Sequence, residues 1–137
     1  MKTKYLCIAL FGILVLSCSK YASDIPGKQS IAGNWRWTKT EGGIANNIHG
    51  TPASTGNSIY LQFTGDNQYF FYTNGTLASK GTYTIEIRNC IHDNTAKKLI
   101  HFSSPEDRDL MIEKLDNFTL ELSDEAYDGI TSTYAKK

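Results

Sequence analysis

Three cysteines and three histidines hold most of the reactive chemistry open to this chain of 137 residues. Cys90-Ile91-His92-Asp93 sets a thiol, an imidazole and a carboxylate close together, the donor types of a zinc site. No second ligand pair stands at zinc spacing, and His49 and His101 lie far from it in sequence. The segment therefore reads as a loop with a free thiol. Glycine-rich phosphate loops and nucleophile elbows are absent from the sequence, and strand alternation turns no pair of acids inward. The expectation is a protein that is not an enzyme and uses no metal or cofactor. The reactive residue that remains is Cys18.

Cys18 takes its meaning from what precedes it. Lys2 and Lys4 open the chain, Tyr5 to Leu16 is almost wholly apolar, and Ser17 is small. A basic start, an apolar stretch and a small residue at the cut are the layout of a secretory signal. Polar Ser19-Lys20 arrives before the ~20 apolar residues that a membrane-crossing helix needs. Val15-Leu16-Ser17-Cys18 resembles the lipobox of bacterial lipoproteins. In that family the cysteine thiol receives a diacylglyceryl group and cleavage leaves the lipidated cysteine first, which the resemblance implies for Cys18. Two or more acyl chains hold a protein stably at a membrane, each buried methylene contributing ~0.8 kcal/mol. By the same resemblance, serine rather than aspartate at position 19 suggests the outer membrane of a Gram-negative envelope.

Without residues 1–17 the chain keeps 120 residues, enough for one ordinary domain. Lys2 and Lys4 leave with the signal, so 12 basic side chains face 14 acidic ones and the net charge becomes −2. No basic run remains to drive nucleic-acid binding. Cys90 is left without a partner for an internal disulfide, so a packed core must hold the fold. Residues 18–30 are polar, contain Pro26-Gly27 and lack periodicity, the composition of a flexible tether.

From residue 31 the pattern alternates with period two, which marks strands with one wet face. Eight are expected, at 33–40, 57–64, 68–73, 76–88, 97–103, 109–115, 118–123 and 129–135. Asn74-Gly75 is a strong hairpin signal that sets Thr73 against Thr76, Tyr72 against Leu77 and Phe70 against Ser79. A two-residue Asp66-Asn67 turn sets Phe63 against Phe70. Both registers turn Phe70 and Tyr72 inward and leave Tyr60, Tyr69 and Phe71 as an outer aromatic patch. A three-residue Leu115–Asn117 loop pairs Lys114 with Phe118 and Ile112 with Leu120. Ser104-Pro105-Glu106-Asp107 carries the signals of a helix start and is expected to form one helical turn. Short sequential connections imply an all-β, eight-stranded antiparallel up-and-down barrel, whose closure removes exposed edges.

Gly33-Asn34-Trp35 at the opening of the first strand resembles the G-x-W signature of lipocalins. Gly42-Gly43-Ile44, Thr51-Pro52, Phe63-Thr64, Asn74-Gly75, Gly81-Thr82-Tyr83 and Thr133-Tyr134-Ala135-Lys136 follow in order. Together they are similar to the small lipocalin-like lipoproteins of Gram-negative bacteria, over residues 31–137. The long C-terminal helix of full-length lipocalins is lacking, and a lysine stands where an arginine often stacks on the tryptophan. The resemblance implies that Trp35 plugs a closed end and that the 42–56 connection overhangs an open one.

Two functions fit such a barrel. It can bind or carry a small apolar ligand, with Tyr72, Ser79 and Tyr83 expected to orient it near the mouth. Alternatively, a barrel filled by its own side chains acts by its surface on an envelope protein, as an accessory or inhibitor. Twenty mostly bulky inward residues in short strands favour a small cavity. The expected partners are the membrane through the lipid, a small hydrophobic molecule and an envelope protein, with no nucleic acid.

Overall fold

The computed structural model describes residues 29–137. The signal, Cys18 and most of the tether lie outside the described residues. Among the described residues nine antiparallel strands form one sheet: β1 (Gly33–Gly42), β2 (Ile48–Gly50), β3 (Ile59–Phe63), β4 (Gln68–Thr73), β5 (Thr76–Asn89), β6 (Ala96–Phe102), β7 (Leu110–Leu115), β8 (Thr119–Asp124) and β9 (Ile130–Lys136). From β3 onward each strand pairs with the next, and β9 pairs with β1. Eight strands thus close an up-and-down barrel, as the alternation predicts. The additional β2 lies beside the far end of β1, with Glu41 against His49.

The 42–56 connection carries more structure than a bare loop. A 3-10 turn spans Ile44–Asn46, and a short helix, α1 (Pro52–Thr55), follows β2. Thr51 caps α1 in a reciprocal box with Ser54, Pro52 occupies the first turn, and Gly56 ends it with φ 71°. The helical turn expected at Ser104–Asp107 is instead a tight turn closed by the Asp107 N–H donating to the Ser104 carbonyl. Its capping signals serve a single turn because the chain must return at once to β7.

Turn chemistry decides which face each strand buries. Asn74 and Gly75 have φ of 52° and 79°, as a type I′ turn requires, and Thr73 faces Thr76. Beyond Tyr72 against Leu77, however, Ala78 is the extra residue of a bulge, and Phe71 rather than Phe70 faces Ser79. The preceding hairpin also differs from expectation. Its loop is Gly65-Asp66-Asn67, with Asn67 at φ 63°, and Phe63 faces Tyr69. A left-handed residue closing a three-residue loop is a common hairpin solution.

Each departure moves β4 by one residue, and one residue exchanges its faces. Tyr69 and Phe71 therefore point inward, while Phe70 and Tyr72 point outward. On β5 the two shifts cancel, so Ser79 and Tyr83 keep the inward face expected of them. A similar pair of changes occurs at β7–β8. The turn is Asn117-Phe118, with the Asp116 N–H donating to the Thr119 carbonyl. A bulge at Glu113 then aligns Ile112 with Leu122 rather than Leu120. Phe118, expected to pair with Lys114 in a strand, lies at the loop tip and is 77% exposed.

One cluster of twelve buried residues fills the barrel, among them Trp35, Trp37, Phe63, Tyr69, Phe102, Leu120 and Tyr134. Trp35 is fully covered: its indole N–H donates to the Ile31 carbonyl at 2.8 Å, and the Lys136 ammonium lies 5.1 Å from the ring centroid. The lysine thus takes the stacking position. Gly33 has φ +150°, a backbone conformation that selects glycine beside the tryptophan. A second, smaller cluster of Cys90, Leu99 and Met111 lies on the opposite face of β6 and β7.

Trp35→Ala should lower unfolding free energy by about 3–5 kcal/mol, the range for truncating a buried aromatic. Phe118→Ser should change it by no more than about 0.5 kcal/mol, as at most exposed positions. Urea unfolding followed by tryptophan fluorescence measures both; equal effects would contradict the assigned faces.

Candidate functional sites at the mouth and on the outer face

The inward polar groups gather where the 103–109 loop meets β4 and β5. The Asp107 carboxylate accepts a hydrogen bond from the Tyr69 phenol at 2.5 Å and another from the Ser79 hydroxyl. The loop is also held by the Ser103 hydroxyl, which accepts from the Thr82 N–H at 2.9 Å. Tyr83 lies deeper and donates its phenol to the Thr64 carbonyl at 3.1 Å. Ser79 and Tyr83 are therefore internal, as expected, but each spends its hydroxyl within the barrel. Sequence alternation missed Asp107, which occupies a turn and has no strand parity. Its signal was a carboxylate following Ser104-Pro105, a short rigid turn able to aim it at the sheet.

Around these groups the interior is aromatic. Tyr69 and Phe102 rings lie 4.7 Å apart, Tyr69 and Phe71 4.8 Å, Phe63 and Tyr83 5.2 Å, and Phe71 and Phe102 5.2 Å. Such distances are those of favourable tilted and edge-to-face contacts. Half-buried Ile59, Phe71, Leu110, Ile112 and Leu115 pack against the twelve buried side chains.

Tyr72, the third residue expected at a ligand, stands outside. It faces Tyr60 across β3 and β4, and with Asn34, Gln62, Gly75 and Lys137 it lines an open pocket of about 570 Å³. On the outer side stand Tyr60, Phe70 and Tyr72, each half-buried, rather than the expected Tyr60, Tyr69 and Phe71. The Lys137 ammonium lies 5.1 Å from the Tyr60 ring centroid.

Elsewhere, Cys90 is a buried free thiol packed with Leu99 and Met111. His101 pairs with Asp109 at 2.9 Å on the surface. Among the described residues no three His, Cys, Asp or Glu side chains converge as metal ligands, and no helix is long and apolar enough to cross a membrane. Comparison with models of known families, with characterised proteins and with solved structures finds no match.

Three interior phenols hold their protons more firmly than free tyrosine does. Burial, and then the Asp107 carboxylate, raise Tyr69; burial, and then Asp66, raise Tyr83. Burial lifts Tyr134 to about 12 from 10.0. A phenol whose folded pKa is raised stabilises the fold fully below its unfolded pKa. That contribution is lost as pH rises through the folded value. Stability should accordingly decline from about pH 10 towards pH 12. Urea midpoints across this window check it, and Tyr134→Phe should make the decline shallower.

Asp107→Asn replaces a charged acceptor for two hydroxyls by a neutral one. It should cost about 1–3 kcal/mol, within the range for hydrogen bonds to charged groups. It should also raise hydrogen exchange in residues 103–109. Unchanged stability and exchange would show that the loop is held by other contacts.

Proposed function

We propose that this protein is a lipid-tethered, lipocalin-like lipoprotein barrel that acts through its outer surface on a neighbouring envelope component. The observation that carries this reading is the ring-to-ring packing of Phe63, Tyr69, Phe71, Tyr83 and Phe102 across the interior, with centroids 4.7–5.2 Å apart in the closest pairs, where a carrier would keep room for cargo. Ser79 and Tyr83, two of the residues suited to orient an apolar ligand, are already bonded to Asp107 and Thr64. The surface, by contrast, offers an open aromatic pocket on β3 and β4.

Support for the tether comes from the basic, apolar and lipobox segments ahead of Cys18. The described chain enters the barrel at its Trp35 end, where the Ile31 carbonyl accepts the indole N–H. A lipid on Cys18 would hold the barrel by that end. The proposal assigns no reaction, metal or cofactor to the chain.

Cys18→Ser should move the protein from the membrane to the soluble fraction in its native host; continued retention would refute the lipid tether. Native mass spectrometry of the protein purified from its own envelope should give the mass of the chain plus acyl groups alone. A stoichiometric apolar adduct would overturn the surface reading in favour of carriage.

A further inference from the structure

The outward shift of β4 assembles two cross-strand rows on one face of the barrel. Asn34, Gln62, Phe70 and Lys80 face one another in the first, across β1, β3, β4 and β5. Arg36, Tyr60, Tyr72 and Leu77 form the second. Directly opposed residues on one sheet face bring their side chains together. Neither row contains a carboxylate; Arg36 stands opposite Tyr60, Lys80 opposite Phe70, and the Lys137 ammonium lies over the Tyr60 ring. The pocket between Tyr60 and Tyr72, about 570 Å³, has the volume of a small-molecule site.

The chemistry of this face is specific. Aromatic faces are electron-rich and attract the weakly positive C–H groups on one side of a sugar ring. The Asn34 and Gln62 amides each offer donors and an acceptor, matching hydroxyl groups that do the same. The Lys137 ammonium, now resting over Tyr60, can turn to a carboxylate, for which a charge-assisted bond is stronger than its contact with an exposed ring.

We propose that this face binds an acidic oligosaccharide, with sugar rings on Tyr60 and Tyr72, hydroxyls at Asn34 and Gln62, and a carboxylate at Lys137. The proposal deepens the surface reading above and rests on it. Single-stranded nucleic acids also combine stacking with cationic contacts, but they carry a charge on every nucleotide. Three cations on a domain of net acidic charge, interleaved with amides, suit the sparser charge and abundant hydroxyls of a glycan.

The test uses the full chain in detergent, titrated with oligogalacturonate, with a neutral maltooligosaccharide of equal length and with oligothymidylate. Oligogalacturonate should bind most tightly, and salt should weaken it. Tyr60→Ala and Tyr72→Ala should each weaken it roughly tenfold, the loss of one stacking contact. Tyr72→Phe, which keeps the ring, should retain binding, and Lys137→Gln should reduce the salt dependence. Emission from buried Trp35 and Trp37 reports whether each variant is folded. No binding of oligogalacturonate, binding indifferent to both alanine variants, or tighter binding of oligothymidylate would each overturn the proposal. An adduct-free native mass alongside any of these results would leave the surface reading standing and remove only the saccharide.

Discussion

Pairing of β9 with β1, from Lys136 against Trp35 to Ile130 against Gly42, turns a sheet with two edges into a closed barrel on which the remaining features depend. Closure satisfies the edge groups that would otherwise template pairing with another chain. It also creates an interior that must be filled. Trp35 meets that demand at one end, held by Ile31 and covered by Lys136, and the aromatic contacts among Phe63, Tyr69, Phe71, Tyr83 and Phe102 meet it across β3 to β6. With Cys90 as the free thiol among the described residues, stability comes from this packing.

Filling the interior with phenols brings a polar obligation. Tyr69, Tyr83 and Tyr134 are buried, and an unpaired hydroxyl there would cost more than its hydrogen bond returns. The barrel answers with Asp107 and the Thr64 carbonyl, and among the described residues no buried side-chain polar atom lacks a partner. The same arrangement ties the 103–109 loop to the mouth. Internal hydroxyls that might have greeted a ligand instead fasten the fold.

Bulges and loop lengths then determine what the outside presents. The three-residue Gly65–Asn67 loop and the bulge at Ala78 each shift β4 by one position. Their combined effect is to bury Tyr69 with Phe71 and to raise Phe70 and Tyr72 beside Tyr60. A two-residue loop in place of the first would have exchanged these sets. The face proposed to meet a saccharide is therefore a consequence of local turn geometry around Asn67, whose φ of 63° asparagine tolerates better than most residues.

Much of the architecture was legible in the residues themselves. Alternation in β1, β3, β5, β6 and β8, the Asn74-Gly75 turn and connections that are short except at 42–56 and 89–96 specified an antiparallel barrel, because strand periodicity and turn preference are local properties. The buried Trp35 and the glycine before it were equally plain. Tertiary structure alone decided the faces of β4, the exposure of Phe118, the second cluster under Cys90 and the role of Asp107. These depend on single-residue shifts whose local energies are small and whose outcome is settled by packing across the barrel. The sequence by itself determined that the chain closes; only the closed barrel determined which tyrosines it keeps and which it shows.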